Sequence, residues 1–274
     1  IIQQKFPGPK AASLFERGKR ILPGGIAVNA RTFVQAAQGA LTMDVDNNVF
    51  IDFAGALPVG HSHPKIQEAL QRHIDSLLST GSQIMKCESN LKLAERLAAL
   101  SPGLFEKKIL FHNSGPESME SAVQLARRYT KKAGIVTFSK GFHGRTFLTG
   151  SMSSKGTLQR EGPYAQKVYK APFPYDYRRP DTMGIDEYER YVLEEFHQFM
   201  KEEMDLDNIA AVVMEPVQNE GGIIVPGKKF VQEIARICRE KDILFIADET
   251  RTGLGLTGAY FAMEHFGVSP DLTV

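Results

Sequence analysis

Four short segments of this 274-residue chain carry side chains that could do chemistry, and each follows an apolar run. The first is Asn113-Ser114-Gly115-Pro116-Glu117. Pro116 suits the first turn of a helix, with Ser114 or Asn113 at the cap. The N–H groups at such an end favour an anion, so a phosphate site is one reading and a well-capped helix is the other. Pro116 lacks an N–H and subtracts one donor. The second segment is Gly141-Phe142-His143-Gly144-Arg145-Thr146. An aromatic ring, an imidazole and a guanidinium between glycines can stack on a flat ring and grip a carboxylate, although a plain surface loop accounts for them too.

The third segment is Glu215-Pro216-Val217-Gln218-Asn219-Glu220-Gly221-Gly222. Glu215 ends an apolar strand, where an ionised carboxylate costs several kcal/mol unless it is paired, so it marks either a structural ion pair or a ligand contact. The fourth is Asp248-Glu249-Thr250-Arg251-Thr252-Gly253. Asp248 follows a buried strand, and its carboxylate could hold a ring nitrogen protonated. Glu249 should face the other way if the strand persists, so one of the two acids meets a ligand.

Two further patterns read as structure. Gly253-x-Gly255-x-x-Gly258 has the letters of a dinucleotide fingerprint, but residues 248–252 separate it from the preceding strand, and no acid follows about twenty residues on. His61-Ser62-His63 lacks the carboxylate or cysteine cluster that a metal site needs, and Pro64 then opens a helix, so turn and cap structure is expected and no metal site is assigned.

The elements that must position these segments follow from periodicity. Helical spacing covers residues 10–21, 64–78, 88–100, 116–132 and 229–241, with a charged surface helix at 188–205. Two alternating runs across Asp46-Asn47-Asn48 read as a β-hairpin within residues 40–53. Short apolar runs at 108–112, 135–139, 209–217 and 243–247 read as strands covered on both faces. Strands alternating with helices imply right-handed crossovers and a mostly parallel sheet, and ligands bind at the carboxyl ends of such strands. All four segments lie at those ends. Residues 175–181 read as an ordered excursion.

Composition narrows the function classes. Hydrophobic residues make up 42% and charged residues 24%, enough to build a large core. Lys plus Arg is 33 against 32 for Asp plus Glu, a net charge of +1 that gives no support to nucleic-acid binding through phosphate neutralisation. No apolar run is long enough to span a membrane. Cys87 and Cys238 form no Cys-x-x-Cys pair, so a reduced, cytoplasmic protein is expected. The chain opens at Ile1 and ends at Val274 without start or stop signals, and either end is expected to be cut.

Taken in order, Gly60-His61-Ser62-His63-Pro64, Asn113-Ser114-Gly115, the Gly141–Thr146 loop, Glu215-Pro216-Val217-Gln218, Asp248-Glu249 and Thr252-Gly253 resemble the class III aminotransferases. The resemblance runs from about Phe33 to the last residue. Residues 171–178 and 51–55 look most like 4-aminobutyrate aminotransferases. It implies an α/β protein of fold type I, a pyridoxal-phosphate-dependent transferase. Residues 60–274 would form an incomplete large domain, a mostly parallel sheet with helices on both faces. Residues 1–59, a helix and a β-hairpin, would be part of a small domain whose C-terminal portion is missing.

The resemblance also implies roles. Ser114, Gly115 and Pro116 would bind the phosphate of pyridoxal 5'-phosphate, and Phe142 would stack on its ring. Asp248 would be the catalytic partner of the ring nitrogen, with Thr250 on the opposite ring face and His143, Glu215 and Arg251 among the cofactor contacts. Arg145 would hold a substrate carboxylate. Glu220 would neutralise a second arginine that lies further along the family's sequence. The implied reaction transfers an amino group from an ω-amino acid, 4-aminobutyrate, to 2-oxoglutarate in a cytoplasmic homodimer. An acetylornithine-type transaminase, an aminomutase or a racemase on the same scaffold remains open, as does a truncated, non-catalytic cofactor-binding protein.

The chain departs from the family pattern at several places. Pro116 stands where Ala, Ser or Thr is usual. Arg251 replaces a Gln that would reach the ring hydroxyl, and could alter the ring's electronics or pair with Glu215. The segment 54–59 is short. The family's Schiff-base lysine would lie a few residues past Thr273. Neither Lys140 nor Lys155 matches its motif, so the 274-residue chain alone is expected to be inactive.

Overall fold

The computed structural model describes residues 2, 6–24, 30–54, 58–76, 85–154, 164–202 and 205–274. Lys155 and residues 55–57 of the short segment lie outside this set. The chain divides into two compact units, Ile1–Cys87 and Glu88–Val274, so the expected boundary after Val59 falls inside the first unit.

The first unit holds α1 (Pro9–Gly18), a sheet of β1 (Val34–Gln38), β2 (Leu41–Asp44) and β3 (Val49–Ile51), and α2 (Pro64–Ser76). β2 and β3 pair antiparallel as the alternation predicts. β1 joins β2 on the other side, an addition its largely exposed Val-Gln-Ala-Ala-Gln sequence does not announce. The turn is closed by Asp44, whose carboxylate accepts from the N–H groups of Asp46 and Asn48 at 2.9 and 2.8 Å. Burial alone would raise its pKa, but these bonds and those from the Asn48 and Thr32 side chains outweigh it and hold Asp44 below its ordinary value. Asp46 reaches back to accept from the N–H groups of Lys10 and Ala11, capping α1. His61, expected to serve turn and cap structure, is bonded to Asp52 through Nε2 at 2.6 Å and bridges Gly39 through its backbone.

The second unit is the cofactor-domain candidate. It comprises α3 (Glu88–Leu100), α4 (Gly115–Thr130), β4 (Gly134–Phe138), α5 (Phe147–Met152), β5 (Val168–Ala171), α6 (Ile185–Glu202), β6 (Ile209–Met214), α7 (Lys228–Glu240), β7 (Leu244–Ala247), α8 (Met263–Phe266) and β8 (Leu272–Thr273). The sheet runs β5-β4-β6-β7-β8 and every neighbouring pair is parallel. Residues 175–181 contain a short 3-10 turn, Asp176–Arg178.

Period-2 alternation divides the strand residues between two cores. Val136, Phe138, Val212, Met214 and Phe245 face α6 and α7, packing on Phe196, Phe230 and Ile234. Ile135, Ala211, Val213 and Ile246 face α4 and α5, packing on Met119, Val123 and Met152. β4 and β6 are buried along their whole lengths. At about 1.5–3 kcal/mol per large buried side chain, the two faces together hold the central strands firmly.

Two expectations change. Residues 108–112 pair with no strand among the described residues, and Leu110 there is 74% exposed. An apolar run supplies strand propensity, but a ladder needs a neighbour, and neither edge of the sheet meets this segment. The charged helix begins earlier than expected, at Ile185, and is described as far as Glu202.

The topology fixes where a ligand can enter. From β4 the chain crosses through α5, on one face, to β5. From β6 it crosses through α7, on the other face, to β7 on the opposite side. Crossovers that diverge from adjacent strands open a crevice at their carboxyl ends. Here that crevice lies beyond Phe138 and Met214.

Candidate active site

Three adjacent strands and one helix deliver the chemically distinctive residues to that crevice. β4 leads into the loop carrying Phe142 and His143, β6 ends at Glu215, and β7 ends at Asp248. A cavity of about 120 Å³ opens there, lined by Phe142, His143, Glu215, Asp248, Thr250 and Arg251. Gly115 and Pro116 of α4 complete one side, and Asn219 and Glu220 line it as well.

The centre is a buried polar network. His143 Nδ1 lies 2.7 Å from Asp248 Oδ2, with the two residues only 5% exposed. The other Asp248 oxygen accepts from the hydroxyl and N–H of Thr250 at 2.6 and 3.2 Å. His143 is fixed from behind by its own N–H, which donates to Ser153 Oγ at 2.9 Å. Burial disfavours the imidazolium, but the hydrogen bond and charge of Asp248, helped by Glu215, prevail and raise the His143 pKa.

Glu215 is held differently. Its Oε2 accepts from the N–H of Phe142 at 2.8 Å and its Oε1 from the N–H of Asn219 at 3.4 Å. Burial pushes its pKa up to about 7, against the opposing pull of His143 and these backbone donors. It therefore ties the loop after β4 to the loop after β6. The possible pairing of Arg251 with Glu215 is not what forms. Arg251 Nε and Nη2 instead donate to Asn219 Oδ1 at 3.2 Å each, in the amide orientation that satisfies both partners.

Glycines let the loops approach. A Cβ on Gly115 would meet Thr250 Cγ2 at 2.7 Å. Gly144 adopts φ +137°, and a Cβ there would lie 2.4 Å from Thr149 Oγ1 and 2.8 Å from the Pro116 ring. Ser114 caps α4 through a long 3.4 Å bond from the Glu117 N–H, and so supports the cavity wall from outside its lining.

The adjacent acids Asp248 and Glu249 face different surroundings, as strand alternation leads one to expect. Asp248 lines the cavity, while Glu249 turns away and accepts from Thr252 Oγ1 and from the N–H groups of Ala262 and Met263 at 2.9 Å each. The Gly253–Gly258 pattern is a looped turn, closed by Leu254 N–H to Tyr260 O at 2.6 Å. Arg145 is exposed at the start of α5 and is not among the cavity's lining residues. Asn219 and Gly144 line the site although no motif argument singled them out. Asn219 had one available signal, its place four residues after Glu215.

The model for the class-III aminotransferase family matches residues 26–274. The chain is 47% identical over 253 residues to a probable 4-aminobutyrate aminotransferase of Bacillus subtilis, covering 90% of this chain and 58% of that protein. It is 35% identical to a 5-aminovalerate aminotransferase of Pseudomonas putida, covering 95% of this chain and 61% of that one. An (S)-enantioselective ω-transaminase from Thermomicrobium roseum superimposes with a TM-score of 0.86 at 26% identity, over 96% of this chain and 62% of that structure. The chain thus spans about three fifths of the length of these relatives.

Proposed function

The chain belongs to the class III aminotransferases, whose cofactor is pyridoxal 5'-phosphate, and we propose that the whole protein transfers the amino group of an ω-amino acid, 4-aminobutyrate, to 2-oxoglutarate. The buried His143–Asp248–Thr250 network at the cavity floor is the observation that carries this reading. It is a fixed carboxylate, desolvated and charge-compensated, opposite the amino end of α4.

The residues present fit the cofactor. Gly115 and Gly144 let Thr250 and Pro116 close in around the cavity, where a Cβ would collide with them, and the N-terminus of a 16-residue helix favours the phosphate even without a donor from Pro116. Ser114 and Gly115 would hold that phosphate. Phe142 and Thr250 would pack against its ring. Asp248 would pair with the ring nitrogen, and His143, 2.7 Å from Asp248 Oδ2, orients that carboxylate. When bound, the cofactor supplies a pyridinium that withdraws electrons from the substrate carbon losing its proton. Glu215 holds Phe142 in register through its backbone. Glu220, which lines the cavity, would neutralise a second arginine that lies further along the family's sequence. The working form is a cytoplasmic homodimer.

The test is a half-reaction with the full-length, cofactor-loaded protein. Addition of 4-aminobutyrate should convert the cofactor to its amine form, seen as loss of visible absorbance, and 2-oxoglutarate should restore it. Conversion by an acetylated ornithine but by neither 4-aminobutyrate nor 5-aminovalerate would move the protein to the acetylornithine-type branch. No conversion by any amine would refute the transaminase reading.

A further inference from the structure

Arg251 is the one guanidinium among the described residues that line the cavity. Asp248 is matched by His143 at 2.7 Å, and Glu215 is held by two backbone N–H groups. Arg251 pairs with no carboxylate among the described residues, although it lines the cavity and its side chain is exposed there. Its Nε and one Nη2 hydrogen are taken by the neutral Oδ1 of Asn219. That brace orients the planar fork without neutralising it, and three of the five N–H donors remain. Of the two arginines supplied by the site motifs, Arg145 and Arg251, the latter alone lines this cavity.

We propose that Arg251, braced by Asn219, is a carboxylate anchor of this pocket and a determinant of its preference for amino acids over simple amines. The inference rests on the ω-amino acid reading above and names the residue that receives the substrate's carboxylate. A guanidinium already fixed along one edge presents its remaining donors in a defined plane, the geometry a carboxylate matches with two hydrogen bonds. Asn219 acts as the positioning residue. Its backbone N–H serves Glu215, so its side chain is available to hold Arg251.

The test uses butyrate, the four-carbon carboxylate without an amine, titrated into the full-length, cofactor-loaded protein and followed by the cofactor's absorbance. n-Butylamine, which lacks the carboxylate, is the reference. Arg251→Gln should weaken butyrate binding about 10- to 100-fold, the range expected for hydrogen bonds to a charged group. It should also lower the ratio of 4-aminobutyrate to n-butylamine reactivity. Asn219→Asp places a carboxylate on the same fork, and should reduce butyrate affinity at least as much while keeping or raising the thermal midpoint. A purely structural clip predicts the opposite signs, with a lower midpoint in Arg251→Gln and unchanged butyrate affinity in both variants. Equal butyrate affinity in all three proteins, or no butyrate binding by the unmodified one, overturns the proposal. Failure of the parent reading looks different: butyrate is held in an Arg251-dependent way, yet 4-aminobutyrate transfers no amino group.

Discussion

Glu215→Gln isolates the energetic cost of placing an acid at the end of a buried strand. The side chain is 5% exposed and accepts from two backbone N–H groups, one at 2.8 Å and one at 3.4 Å. Its pKa rises from 4.5 to about 7 because burial penalises the carboxylate more than His143 and those donors favour it. The folded protein therefore keeps a proton that the unfolded chain releases near pH 4.5. Between about pH 4.5 and 7 the native state binds more protons, so this group's contribution to stability falls as pH rises. At 1.36 kcal/mol per pH unit the full swing is ~3 kcal/mol. Gln keeps an oxygen for the Phe142 N–H and removes the titration. Near pH 5 the two proteins should be about equally stable. At pH 8 Glu215→Gln should be more stable by about 1–3 kcal/mol, a rise in thermal midpoint of about 2–4 °C per kcal/mol for a domain of this size. His143 contributes in the same direction, since its raised pKa gives stability that is lost as pH climbs; Glu215 supplies part of that rise, so Glu215→Gln lessens this contribution too. Thermal midpoints at several pH values across that range measure the difference. Parallel profiles for the two proteins would refute the reasoning, because the buried carboxyl would then titrate as it does in the unfolded chain.

Two other perturbations follow from the same network. Asp248→Asn removes the charge that raises the His143 pKa, so the imidazole should titrate at lower pH by NMR, and the 4-aminobutyrate half-reaction should slow about 100-fold or more; an unshifted imidazole would show that Asp248 is not what charges it. Gly144→Ala forces a Cβ to within 2.4 Å of Thr149 Oγ1 at φ +137°, and should destabilise the protein by about 1–3 kcal/mol while weakening cofactor binding in an equilibrium titration. Unchanged stability would mean that the loop shifts freely and that the glycine is not needed for the approach to Pro116.

Much of this molecule was legible before any coordinates. Helix α3 matches its periodic segment, β6 and β7 fall within the apolar runs that precede the functional loops, and β4 overlaps its run with a start one residue earlier. Periodicity is a property of neighbouring residues, and a strand buried on both faces announces itself through continuous apolar sequence. The order of the motifs likewise carried the family and hence the cofactor. Elements without such a signal were not legible: β1 is polar and exposed, and α5 is a six-residue helix built on a Thr146–Thr149 capping box. Residues 108–112 had the right composition but no ladder, since pairing depends on a neighbour that composition does not reveal.

The site divides along the same line. Residue types and their positions after strands were enough to nominate Phe142, His143, Glu215, Asp248 and Arg251 from sequence alone. Which of them touch was decided by tertiary structure. Asp248 meets an imidazole 105 residues away, Glu215 meets the backbone of Phe142 across 73 residues, and Arg251 turns to Asn219 instead of Glu215. The physical reason is that a side chain's partner is set by strand order and crossover direction. Those bring loops distant in sequence within 3 Å of one another and determine which charges are compensated and which remain to bind a ligand.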